Sequence, residues 1–156
     1  MGIHIRRREF IVTVGGTAAA LWPLAAHAQQ FNRARRIGVL MGYPENDSEA
    51  QAYIAAFRDG LQKLGWIEDR NIRIDTRWTT PGDANSVQRF AKELVALQPD
   101  LILSNTTPTT AALLQQTRTI PIVFAIVGDP VGSGFVATFS RPGGNVTGFM
   151  SAAGGS

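Results

Sequence analysis

From Arg36 onward the sequence alternates five short strand-like runs with four stretches of helical periodicity. This order restricts the fold more than any other feature of the chain. Consecutive parallel strands need a crossover, and a right-handed crossover helix covers the face of the sheet it leaves. The pattern therefore predicts an α/β fold: a parallel, doubly wound sheet of about five strands with helices on both faces.

Arg36 to Met41 is an apolar run ending at Gly42, as a buried parallel strand should be. Ser48 stands three residues before Gln51, which is capping-box spacing. Behind it Ala50, Tyr53, Ile54, Phe57, Leu61 and Leu64 recur at helical intervals, so a helix is predicted over Ser48 to Leu64 with Gly65 as its left-handed stop. Ile72, Ile74 and Thr76 alternate with Arg73, Asp75 and Arg77, which predicts an edge strand up to Trp78. Asp83 is the expected cap of a second helix that carries Val87, Phe90, Ala91 and Leu94 and stops before Pro99. Leu101 to Leu103 is the third strand. Thr107 is the expected cap of a third helix, with Pro108 in its first position and an end near Gln116. Ile120 to Ile126 is a fourth strand that carries Pro121 near its start, a short helix is expected around Gly134 to Phe139, and a last strand near Asn145 to Met150.

Parallel sheets bind ligands outside the carboxyl ends of their strands. The loops Gly42 to Asp47, Ser104 to Thr107 and Val127 to Pro130 are therefore the expected functional region. Asn105, Thr106 and Thr107 put amide and hydroxyl groups beside a helix start, where a carboxylate or phosphate is received; Thr107 can equally serve only as a cap. Asp129 can form an Asx turn before Pro130 or meet a ligand cation. Tyr43 can stack on a ligand or cover a strand end.

The first 28 residues read as an export leader. Arg6, Arg7 and Arg8 precede an apolar run of 15 residues from Phe10 to Leu24, and Ala26-His27-Ala28 is a small-x-small cleavage site. The run is shorter than the ~20 residues a membrane span needs. Arg7-Arg8-Glu9-Phe10-Ile11 fits the core of a twin-arginine signal, with general secretion as the other route, and either route leads to the periplasm or another extracytoplasmic space.

Removing residues 1–28 leaves twelve basic and eleven acidic residues, so the high isoelectric point of the whole chain carries no nucleic-acid signal. Both histidines, His4 and His27, fall in the leader, and the chain has no Cys. What remains cannot build a Ser-His-Asp or Cys-His triad and lacks the usual ligands of zinc, copper and haem. Phosphate-loop, nucleophile-elbow and dinucleotide fingerprints are absent as well. No catalytic residue, cofactor or metal is expected. An exported carboxylate enzyme using Asp47, Asp83 or Asp129, or a sensory or scaffold domain that binds a membrane partner, are the competing function classes.

Several segments together resemble one family. They are Arg36-Ile-Gly-Val-Leu, Phe57-Arg-Asp-Gly-Leu-Gln-Lys-Leu-Gly-Trp66, Asn71-Ile-Arg-Ile74, Pro99-Asp-Leu-Ile102, Thr119-Ile-Pro-Ile-Val-Phe124, Asp129-Pro-Val-Gly132 and Arg141-Pro-Gly-Gly-Asn-Val-Thr-Gly148. The combination, from Arg36 to about Phe149, is similar to the substrate-binding proteins of ABC transporters related to tryptophan- and tyrosine-binding proteins, which have the two-lobed type I periplasmic-binding fold. The resemblance implies non-catalytic capture of a small, amino-acid-like solute and its delivery to a membrane permease. It implies ligand contacts from Gly42, Tyr43, Asn105, Thr106, Thr107 and Asp129, with Thr106 and Thr107 receiving a carboxylate and Asp129 an ammonium. It also implies a domain plan: a leader at 1–28, a first lobe at 29–150, and a hinge remnant or truncated tail at 151–156, with the second lobe missing.

Overall fold

A computed structural model of the chain describes residues 33–138 and 143–149. The leader expected at 1–28, Met150 and the tail at 151–156 lie outside the described residues. Among the described residues five strands and three helices follow in the order β1 Arg35–Met41, α1 Ser48–Lys63, β2 Ile72–Trp78, α2 Ala84–Ala96, β3 Leu101–Ser104, α3 Thr107–Gln116, β4 Ile122–Ala125 and β5 Val146–Phe149. All neighbouring strands pair in parallel, in the order β2-β1-β3-β4-β5. The edge position expected for β2 is observed.

The period-two pattern of β1 divides the core between the two faces of the sheet. Ile37, Val39 and Met41 pack with Ala50 and Ile54 of α1, while Leu40 joins Val87, Ala91 and Leu94 of α2, Leu113 of α3, and Ile102, Ile122 and Phe124 of the sheet. Leu40, Leu94, Ile102, Leu113 and Ile122 have no exposed surface. Each such side chain contributes about 1.5–3 kcal/mol on leaving water. Helices thus cover both faces, as the alternation predicts.

The boundaries differ from the expectations where neighbouring residues compete for one role. Asp47, not Ser48, caps α1: its Oδ1 accepts from the Ala50 N–H at 2.8 Å. The Ser48–Gln51 capping box does not form, and Gln51 Nε2 donates instead to the Glu45 carbonyl. Gly65 ends α1 with φ 87°, and the N–H groups of Gly65 and Trp66 donate to the carbonyls of Gln62 and Leu61. This is the paired closure that a glycine after a helix permits. Likewise Thr106, not Thr107, caps α3, and Pro108 is the second helical residue.

The fourth strand is shorter than its apolar run. Pro121 has no N–H, the Ile120 N–H is taken by Thr117 Oγ1 at 3.1 Å, and Ile126 turns left-handed at φ 59°. The helix expected around Gly134 to Phe139 is absent from the described residues. Pro130 to Gly134 make a single turn that closes with the Phe135 N–H on the Pro130 carbonyl, and Gly134 at φ 73° stops it. No helix among the described residues is long and apolar enough to cross a membrane.

Candidate functional site

The strand order reverses direction between β1 and β3, and the chain leaves these two strands on opposite faces of the sheet. A crevice at their carboxyl ends follows from that topology. It is present as an open cleft of about 500 Å³. Gly42 and Tyr43, after β1, form one part of its lining, and Thr106, Pro108 and Thr109, at the start of α3, form another. A third part comes from Thr79 to Ala84, the loop from β2 into α2, with Val87 and Gln88 of the helix itself.

The loops are locked together by short contacts. Asn105, 3% exposed, accepts the Gly42 N–H on Oδ1 at 2.8 Å. A Cβ on Gly42 would lie 2.5 Å from Thr106 Oγ1 and Cγ2, so only glycine lets the two loops approach this closely. Thr79 is buried and donates both its N–H, at 2.9 Å, and its hydroxyl, at 2.8 Å, to the Met41 carbonyl. Beneath the α3 start, Ser104 Oγ lies 2.8 Å from Thr109 Oγ1 and 2.9 Å from Thr110 Oγ1. Thr109 Oγ1 and Thr110 Oγ1 also donate to the Thr106 carbonyl. Three buried hydroxyls therefore satisfy one another and the cap, which makes this helix start rigid.

The lining is apolar at Pro81, Ala84, Val87 and Pro108, hydroxyl-bearing at its threonines, and contains no Lys, Arg or His. Its one carboxylate, Asp83, caps α2 by accepting the Ser86 N–H at 3.1 Å. Hydrogen bonding from Ser86, the N–H foremost, holds that carboxyl below its ordinary value, and the Ser86 hydroxyl donates to the Asp83 carbonyl at 3.1 Å. The starts of α2 and α3 both reach the cleft, so the positive ends of two helix dipoles do too.

Of the six residues singled out in the sequence, Gly42, Tyr43 and Thr106 line the cleft. Asn105 lies behind the lining, bonded to Gly42. Thr107 is an exposed first-turn residue outside the lining. Asp129 is also outside it, and its Oδ1 accepts the Gly132 N–H at 2.7 Å, three residues on, so it caps the turn over 130–134 and does not form the two-residue Asx turn. Thr79 to Ala84 were missed. The only signal for them was the turn cluster Thr79-Thr-Pro-Gly directly after a strand. Asp47 and Asp83 are helix caps, and no group of three potential metal ligands occurs among the described residues.

The profile of the family described as ABC transporter substrate binding protein matches residues 39–153. The chain belongs to the ABC transporter substrate-binding protein family. A curated relative, the tyrosine-binding protein of Clostridioides difficile, is 34% identical over 116 residues, which cover 73% of this chain and 32% of that protein. Among solved structures, the ABC domain from Streptococcus pneumoniae in complex with L-Trp is 32% identical with a TM-score of 0.68. The ligand-free, open structure of a substrate-binding protein with adhesive properties from Clostridium difficile is 31% identical with a TM-score of 0.69. Each alignment covers 75% of this chain but only 38% and 39% of the respective solved chain. The chain thus matches from 32% to 39% of the length of these family members.

Proposed function

We propose that this chain forms the first lobe of an extracytoplasmic solute-capture protein of an ABC importer. It holds a small, amino-acid-like solute against a second lobe and passes it, chemically unchanged, to a membrane permease. Residues 1–28 act as a cleavable export leader, residues 29–150 form the lobe, and residues 151–156 lead toward a hinge.

The observation that carries this reading is the cleft itself. It sits at the switch point of the sheet, is walled by three loops, and belongs to a chain whose relatives include proteins named for tyrosine binding and solved with L-Trp. Its volume suits a single amino acid. Pro81, Val87, Pro108 and the Tyr43 ring offer an apolar wall, and the two helix starts with the Thr106 hydroxyl favour a carboxylate. Gly42, Tyr43 and Thr106 contact the solute directly, whereas Thr107 and Asp129 lie outside the lining.

An NMR titration of the 15N-labelled chain with L-tryptophan and L-tyrosine tests the reading. Saturable shifts confined to Gly42, Tyr43, Thr79 to Ala84 and Thr106 to Thr109 are expected. Shifts confined to other residues, or none with L-tryptophan raised to tens of millimolar (roughly ten times the expected ~1 mM scale), would overturn it.

A further inference from the structure

The Met41 carbonyl and the Gly42 N–H belong to one peptide group, and both of its ends are held by side chains from neighbouring loops. On the oxygen side Thr79 donates its N–H and its hydroxyl. On the nitrogen side the Asn105 carboxamide oxygen accepts. β1 ends at this peptide, and Tyr43 follows it directly.

We propose that Thr79 and Asn105 form a two-sided clamp on the Met41–Gly42 peptide and are positioning residues of the cleft, not contacts of the solute. Three observations support the assignment. Both residues are 3% exposed, so neither presents much surface to the cleft. The orientation of Asn105 is fixed by its partner, because the Gly42 N–H can donate only to the carboxamide oxygen. The Asn105 Nδ2 is then left buried without a hydrogen-bond partner. An amide with an orphaned donor is costly, so its retention is explained by what the oxygen does. By holding Gly42 against Thr106, the clamp joins all three loops of the cleft and sets where Tyr43 leaves β1.

The role in binding rests on the solute-capture reading above, whereas the clamp itself can be measured without any solute. The experiment is amide hydrogen exchange by NMR on the 15N-labelled chain, with Val39 and Leu40 in the middle of β1 as internal references. In the wild type the Gly42 amide is expected to be protected. In Asn105→Ala it should exchange at least about tenfold faster than those references account for. Asn105→Asp keeps the acceptor and should retain Gly42 protection within about threefold of the wild type. An unprotected Gly42 amide in the wild type, or protection lost equally in both variants, overturns the clamp. If Asn105→Ala fails to fold, the Asp variant alone decides by the same criterion.

A titration of the same three proteins with L-tryptophan tests the positioning role. Tyr43 in Asn105→Ala should need about tenfold more L-tryptophan for the same shift, and Asn105→Asp should match the wild type. Equal loss in both variants would make Asn105 a donor to the solute and refute the positioning role. A wild type that ignores L-tryptophan while its Gly42 amide stays protected would sink the solute reading and leave the clamp standing.

Discussion

At Gly42 the requirement is steric and local. Its φ is not in the left-handed region, so an alanine backbone fits, but the added methyl would lie 2.5 Å from two atoms of Thr106. Thr106 cannot yield freely, because its hydroxyl and carbonyl are tied to Thr109 and Thr110. Gly42→Ala should therefore cost about 1–3 kcal/mol, the usual penalty for overpacking a well-filled site. Gly128→Ala is the matched control, since a Cβ there meets nothing within 4 Å, and its effect should stay within about 0.5 kcal/mol. Urea midpoints of the two variants against the wild type give the comparison. Equal midpoints would mean that the α3 start gives way more easily than its hydroxyl network implies.

At the scale of elements, β1, β2 and α2 meet in one polar contact. Arg36 Nε of β1 donates to Asp75 Oδ2 of β2 at 2.6 Å, and Arg36 Nη1 donates to the Leu97 carbonyl at the end of α2 at 3.4 Å. The Asp75 side chain is 15% exposed. The Arg36 hydrogen bond holds its carboxyl below the ordinary value against the opposing effect of burial, with further help from the charges of Arg36, Arg73 and Arg77. Since the folded value lies below the unfolded one, this carboxylate stabilises the fold above the unfolded value of about 3.9, and that contribution is lost as pH falls through the folded value. Asp75→Asn should be less stable than the wild type near pH 7, where it leaves the Arg36 guanidinium without its carboxylate. The gap should shrink as pH falls below the unfolded value of about 3.9 and through the lower folded one. Urea midpoints across that range check it, and a gap independent of pH would show that Asp75 acts through packing alone.

The elements themselves were legible because their signals are periodic. The apolar run of β1, the alternation of Ile72, Ile74 and Thr76 with Arg73, Asp75 and Arg77, and the helical spacing of Val87, Ala91 and Leu94 each average over several residues, so single errors do not matter. Caps depend on one residue. Asp47-Ser48 and Thr106-Thr107 each offer two good capping side chains in a row, and the tertiary contact chooses: Thr106 caps because Gly42 packs against it. The absence of the expected fourth helix from the described residues has a similar cause. Gly134 stops the turn that Pro130 starts, a stop read from the sequence as part of a helix. In the cleft, the loops after β1 and β3 were legible from strand order alone. The β2 loop was not, because its role depends on β2 lying beside β1 and on the buried grip of Thr79 on Met41.

For the whole molecule, the question is how much of a solute one wall can cover. Good small-molecule sites bury ~70–90% of their ligand, and the binding free energy accumulates with that burial. The cleft of this chain is open, lined by apolar side chains, threonines and two helix starts. An amino acid resting there keeps one face in water and gains neither the contacts of an opposing wall nor the dryness that strengthens charge interactions after closure. The relatives align over no more than 39% of their length, which fits a site shared with the part of the protein beyond this match. Calorimetric titration of the 156-residue chain with L-tryptophan should therefore give a Kd of about 1 mM or weaker, equivalent to no more than about 4 kcal/mol. The shifts in the NMR titration would then be real but in fast exchange. Micromolar affinity for the chain alone would refute the shared-site account, because it would require this wall to supply by itself the energy that a closed two-lobed cleft provides.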